Sequence, residues 1–152
     1  MNWGPATWEF IHTFIEVLKE DTFIQNRKSI IEFIISVLTH LPCPMCSDHA
    51  KKYLYHKNHL VNRLKTKQDL KLYIFNFHNN VNDRTKKTIH NVDILSTYRN
   101  KHIIESYQLY TKSWLEAQNS SVMLMSSSSF VRRNFVQGTS QWLKEHKHLF
   151  TV

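Results

Sequence analysis

Two cysteines, two glycines and three prolines among 152 residues leave this chain poor in the residues that staple or punctuate a fold. So few cysteines exclude a scaffold framed by disulfides. So little glycine and proline disfavours many short strands joined by tight turns and favours helices. Long hydrophobic runs are missing too. The longest mainly apolar stretch is Phe33-Ile34-Ile35-Ser36-Val37-Leu38, far short of the ~20 residues that cross a bilayer, so no membrane span is expected. The opening Met1-Asn2-Trp3-Gly4-Pro5 shows no basic stretch followed by an apolar one. The expectation is therefore a soluble, cytoplasmic protein without a secretory leader, long enough for one domain with a real core.

Acidic residues are outnumbered, 12 against 20 Lys and Arg, for a formal net charge of +8. The excess is scattered (Lys51, Lys52, Arg63, Lys65, Lys67, Lys86, Lys87, Arg132, Arg133). A solvated basic surface is the ordinary reading of such a pattern. No nucleic-acid-binding motif accompanies it, so no specific nucleic-acid partner is expected. The same charge suits a cofactor that carries phosphates.

Both cysteines fall in one segment, Leu41-Pro42-Cys43-Pro44-Met45-Cys46-Ser47-Asp48-His49-Ala50. A CxxC pair is a redox couple or half of a zinc site. A structural zinc site needs four ligands, and no second cysteine pair exists here. The redox reading leads. The alternative is a basic helical module that holds zinc through Cys43, Cys46 and His49 or His56, or that binds nucleic acid.

Around this segment the chain reads as helices. Gly4-Pro5 opens the first, with Trp8, Ile11, Ile15 and Leu18 in one apolar stripe and His12 one turn after Trp8. A loop is expected near residues 21–26. A second helix runs to about His40, burying Ile30, Ile34, Val37 and Leu41, and is capped by Asn26 or by a Ser29/Glu32 box. Pro42 stops it. A third helix covers 43–55 with the CxxC in its first turn, where the helix N-terminus stabilises a thiolate. Residues 56–67 read as a connector. The fourth helix, 68–83, carries Leu70, Ile74, Phe77 and Val81, and its His78 and Asn82 share a face. Asn91 caps a fifth helix over 92–117. A linker with six serines follows at 119–129, then an amphipathic helix over 130–148 anchored by Phe135 and Trp142.

Three separated motifs now stand in order: Trp8-x-x-x-His12, Cys43-x-x-Cys46-x-x-His49, and His78-Asn79-x-Val81-Asn82 with Lys87 behind it. Over about Trp3 to Trp114 this pattern resembles the Erv/ALR family of FAD-linked sulfhydryl oxidases, most closely those of large cytoplasmic DNA viruses. The resemblance implies an all-α fold: a four-helix bundle plus a short fifth helix, with FAD at its mouth. Residues 1–117 form the oxidase domain in this reading, and 118–152 a Ser-rich linker and C-terminal helical extension.

The resemblance also implies roles. Cys46 sits against the flavin, and Cys43 is the outer thiol that exchanges with substrate. Trp8, His12 and His49 line the ring and ribityl region, with Gly4 nearby. His78, Asn79, Val81 and Asn82 hold the adenosine half. Arg84 and Lys87 neutralise the pyrophosphate, and Tyr98 packs near the adenine. No metal is implied. Electrons pass from a substrate dithiol to oxygen, giving hydrogen peroxide. Many members carry a second, mobile cysteine pair and structural disulfides; this chain has neither. The electron donor is then expected to be a small thiol protein, thioredoxin-like or another dithiol relay. A homodimer is expected, located in the host cytoplasm and in the virion.

Overall fold

The computed structural model describes residues 2–54, 57–117 and 129–150. These fold as α-helices with short 3-10 segments. Among the described residues the one β-type pairing is an isolated bridge, Leu18 to Phe150. Helix α1 spans Trp3–Val17, α2 Glu20–Gln25, α3 Arg27–Thr39, α4 Pro44–Tyr53, α5 Lys57–Arg63 and α6 Lys67–Arg84. A 3-10 segment, Val92–Tyr98, precedes α7, Ile103–Ala117, and α8 covers Ser129–Glu145. Of the described helices none is long and apolar enough to cross a membrane.

Helix α1 is the central element. Its Phe10 and Phe14 are fully buried and meet Phe33 of α3 at 6.4 and 5.3 Å and, for Phe10, Tyr110 of α7 at 5.1 Å between ring centroids. Each ring of this size gains roughly 2–3 kcal/mol by leaving water. Its C-terminus is tied by Lys67, whose Nζ donates to Glu16 O at 2.7 Å and Leu18 O at 2.8 Å. Those are backbone acceptors that a helix end leaves open.

Several boundaries differ from the sequence expectation. The loop at 21–26 is instead α2, whose Phe23 is buried; six residues are too few for a periodic stripe to show. The connector at 56–67 contains α5, which buries Leu60 with Val61 packed partly beside it. The helix expected over 92–117 is broken at residues 99–102. Helix α3 stops at Thr39, so Leu41 lies beyond it and is only partly buried. Neither proposed cap of α3 makes a capping bond. Asn26 makes none to the helix start, and Ser29 lies inside the helix, its Oγ accepting from Trp142 Nε1 at 3.2 Å. A capping box does form at α6, where Thr66 and Asp69 cap each other's backbone.

Helix α8 packs back on the bundle. Trp142 stacks on Phe33 at 4.1 Å, and Phe135 meets Trp114 at 5.4 Å. The Tyr107 hydroxyl reaches Thr139 Oγ1 at 2.7 Å. Just past α8, Phe150 touches Phe14 at 4.9 Å, and Lys19 N donates to Leu149 O at 3.0 Å. Apart from Ser129, the expected serine linker lies outside the described residues, as does His56.

Candidate active site

Pro42 and Pro44 bracket Cys43 and decide the local geometry. Pro44 takes the first position of α4, where a missing N–H costs nothing. Cys43 becomes the N-cap, and its Sγ accepts from Cys46 N at 3.3 Å. Cys43 and Cys46 form a disulfide with a Cα–Cα separation of 5.2 Å. The two sulfurs are not alike in position. Cys46 borders a cleft of about 630 Å³ and Cys43 does not. On the outer side, Met45 between them is 76% exposed.

That cleft has the volume of a small-molecule or cofactor site. It is bordered by α1 residues Gly4 and Trp8, by Leu38 and Leu41, by Cys46 and His49 of α4, and by Phe77, His78, Val81, Asn82 and Arg84 of α6. Lys87, Thr88, His90 and Tyr98 close it. A cleft of about 760 Å³ elsewhere, lined by Ile103, Tyr107, Leu143 and Lys144 among others, includes none of the residues picked from the sequence. The smaller cleft is the one that gathers the residues picked from the sequence.

Its inner wall is a ladder of rings. The Trp8 indole stacks on His78 at 3.9 Å, and His12 stacks on Tyr98 at 5.0 Å. His12 Nε2 and His78 Nδ1 lie 2.9 Å apart, so one ring donates and the other accepts. Burial pushes the His12 imidazolium down to about 4. Burial, with His12, His90 and Lys87 nearby, pushes His78 down to about 3. Both imidazoles are therefore neutral at neutral pH. His49 is also held below its ordinary value, first by burial and then by the Arg84 charge, and its Nε2 donates to Asn80 Oδ1 at 2.9 Å.

The rim is set by the end of α6. Lys86 adopts the left-handed conformation with φ 62°, while Lys87 N donates to Asn82 O at 2.8 Å and Lys86 N to Asp83 O at 3.3 Å. This helix-ending motif normally uses glycine. Here it turns the chain so that Lys87 borders the cleft. Lys86 itself does not. Asn79 clasps the next loop: its Nδ2 donates to His90 O at 2.9 Å, and its Oδ1 accepts from His90 N at 3.1 Å. Asn82 is 6% exposed and borders the cleft, and its carboxamide has no hydrogen-bond partner among the described residues. The amide atoms are not sealed in the core but open to the cleft, where they are free to bond a ligand.

Of the residues picked from sequence, Gly4, Trp8, Cys46, His49, His78, Val81, Asn82, Arg84, Lys87 and Tyr98 border the cleft. His12 stands behind them, Asn79 holds the loop, and Cys43 is partly buried and does not border the cleft. Sequence reasoning missed Asn2, Trp3, Pro5, Thr7, Leu38, Thr85, Thr88 and His90 as lining residues, and it read Leu41 and Phe77 only as core. Trp3 and Thr7 are one turn from each other on α1, beside Gly4 and Trp8, and could have been found by helical spacing. Thr88 and His90 are in an irregular loop with no pattern to read.

Residues 5–108 match the Erv1/Alr family. The chain belongs to that family. Its relatives include the FAD-linked sulfhydryl oxidase of African swine fever virus, isolate Tick/Malawi/Lil 20-1/1983. That protein is 35% identical over 89 residues, covering 59% of this chain and 72% of the relative. The homologue from the isolate Warthog/Namibia/Wart80/1980 is 34% identical over the same length. A protein of Invertebrate iridescent virus 3 is 34% identical over 85 residues, 56% of this chain and 57% of its own length. No solved structure matches. The zinc alternative finds no support, since the two sulfurs are bonded to each other. Among the described residues no group of three or more His, Cys, Asp or Glu is placed to hold a metal.

Proposed function

We infer that this chain is an FAD-dependent thiol oxidase that introduces disulfide bonds into protein substrates. The observation that carries the reading is the asymmetry of the cysteine pair: Cys46 borders the ring-lined cleft while Cys43 lies outside it. The cleft suits FAD on its own evidence. Its volume, the flat faces of Trp8 and Tyr98, the cations Arg84 and Lys87, and the unpartnered Asn82 carboxamide match a planar, phosphate-bearing ligand. In this assignment Trp8, His12, His49 and Cys46 serve the flavin end. His78, Val81, Asn82 and Tyr98 serve the adenosine end, and Arg84 and Lys87 the pyrophosphate.

FAD, when bound, supplies the two-electron acceptor that returns its electrons to oxygen as hydrogen peroxide. The protein's own steps are thiol exchange. A substrate thiolate attacks the Cys43 sulfur, the Cys43–Cys46 bond breaks, and Cys46 departs as a thiolate. The first turn of α4 lies under that charge and stabilises it. A second substrate thiolate attacks the substrate sulfur of the mixed disulfide and releases Cys43. The substrate leaves with a disulfide and Cys46 holds the reducing electrons beside the cleft. The neutral imidazoles of His12 and His78 keep charge out of the inner wall.

The electron donor in this reading is a small thiol protein with its own cysteine pair, because this chain has no second pair to act as relay. A homodimer acting in the host cytoplasm or the virion completes it, in keeping with viral relatives. The test is an absorption spectrum of the purified protein. A band near ~450 nm, released as FAD on denaturation, with oxygen uptake on adding a dithiol, is the expected result. A colourless protein that cannot be reconstituted with FAD would remove the reading.

A further inference from the structure

We propose that Phe135 of α8 is a positioning residue for the redox loop: by seating His40 it biases the equilibrium between the Cys43–Cys46 disulfide and its dithiol. This rests on the reading of that pair as a redox couple. Phe135 lies outside residues 5–108, the part of the chain that matches the family.

The loop His40-Leu41-Pro42 is all that separates the end of α3 from Cys43. It is gripped at two points. Ser47 Oγ accepts from Leu41 N at 2.9 Å and donates to Leu41 O at 3.2 Å. Trp114 Nε1 donates to His40 O at 2.8 Å. Phe135 sits at the second grip. Its ring stacks on the His40 imidazole at 4.8 Å and 17° and meets the Trp114 ring at 5.4 Å. The His40 ring is further oriented by Nδ1 against Ser36 O at 2.7 Å. Phe135 thus touches both the ring of His40 and the indole that fixes its carbonyl, three residues before Cys43.

The other aromatic anchor of α8 acts elsewhere. Trp142 packs on Phe33 and bonds Ser29, in the first half of α3 and away from the loop. One helix therefore docks at both ends of α3, and its Phe135 end alone reaches the redox segment.

The consequence follows from linkage. The grip on His40 is made with the disulfide closed and Cys43 capping α4. Contacts that hold the loop in this path favour the closed form by whatever they lose when the pair opens. Freeing the loop returns backbone entropy to the dithiol, which needs no fixed Cys43–Cys46 approach. Removing Phe135 then shifts the pair toward the reduced state.

The experiment uses the full chain, held without oxygen in buffers of reduced and oxidised dithiothreitol. Each turnover converts the Cys43–Cys46 disulfide and one dithiothreitol into two protein thiols and cyclic oxidised dithiothreitol, two electrons and two protons being transferred. The dithiol fraction is read by thiol labelling. Phe135→Ala is expected to shift the equilibrium about threefold to tenfold toward the dithiol, tenfold being about 30 mV. His40→Ala should give a similar shift, and the double variant no more than either, because they share one contact. Phe135→Tyr should restore the wild-type value. Trp142→Ala should lower thermal stability and leave the equilibrium where it was. An unchanged equilibrium in Phe135→Ala overturns the proposal, as does a shift of equal size in Trp142→Ala. A wild-type disulfide that exchanges with no buffer ratio overturns the redox reading itself, a result separate from the other two.

Discussion

On one side of α1, Phe10 and Phe14 pack with Phe33, Tyr110, Trp142 and Phe150; on the other, Trp8 and His12 stack with His78 and Tyr98. Both sides are built on rings spaced four residues apart on one helix, met edge-on and face-on at Phe10 and Phe14 and face-on at Trp8 and His12. They differ in what burial does to them. The Phe side is hydrocarbon apart from Tyr110 and the Trp142 N–H, and burial is favourable throughout. The His side buries two imidazoles that would rather be protonated in acid, and holds both neutral against that tendency. Polar groups kept under such strain, beside a cleft, mark a working surface, whereas the Phe side marks a core. The aim of mutation is to separate the two.

The largest effect is expected at the cleft. Cys46→Ser should reduce dithiol-driven oxygen uptake to background, because no other thiol borders the cleft, while bound FAD and the melting temperature change little. Oxygen uptake at the wild-type rate would end the assignment of Cys46. On the core side the pattern reverses. Phe14→Ala removes a ring that is 0% exposed and should cost about 3–5 kcal/mol of stability. In denaturant titration the midpoint falls, while activity per folded molecule is kept. Equal loss of both in each variant would show that the two sides are not separable.

Acid sharpens the comparison, since it acts on one side only. In the unfolded chain His12 and His78 take protons near 6.5; in the fold they do so near 4 and 3. Between those limits the unfolded chain binds more protons. Stability is thus complete above about pH 6.5 and falls as pH drops toward 4. The two imidazoles are bonded to each other and contribute to this jointly, in the same direction. Denaturant midpoints measured from pH 7 to pH 4 should show the slope, and His12→Asn should flatten it. A profile identical in wild type and variant would mean that other groups carry the acid sensitivity.

Much of this division was legible in the sequence, for unequal reasons. The helical class and the main stripes follow from spacing, which is why Phe77 and Ile74 are found buried on α6 as expected. The cleft-side residues were legible only as a motif set, since neither His12 nor His78 differs by itself from an ordinary core histidine. What stayed hidden depends on tertiary meeting points. Nothing local says that Asn79 clasps His90, eleven residues on, or that Lys86 takes a conformation usually left to glycine. The short α2 and α5 escaped because one or two buried residues make no periodic signal. The role of Phe135 was visible only as that of an anchor; that it leans on His40 requires the fold.

The smallest predicted effect tests the core side at one of its two polar groups, the Tyr110 hydroxyl, the other being the Trp142 N–H that donates to Ser29. Tyr110 is 1% exposed and stacks on Phe10 at 5.1 Å. Its hydroxyl is a buried polar atom with no hydrogen-bond partner among the described residues, and burial drives its ionisation far above the usual range. A buried unpaired hydroxyl loses its bonds to water and gains none in return. Tyr110→Phe keeps the ring, the stack and nearly all the volume, and removes only that oxygen. It should leave stability unchanged or raise it by about 1 kcal/mol, with cofactor binding and turnover unaltered. If the core side is governed by dispersion and burial alone, the denaturant midpoint stays or rises. A clear fall would mean that the hydroxyl has a bonded partner, such as a buried water, and that the Phe side of α1 is less purely hydrocarbon than its contacts indicate.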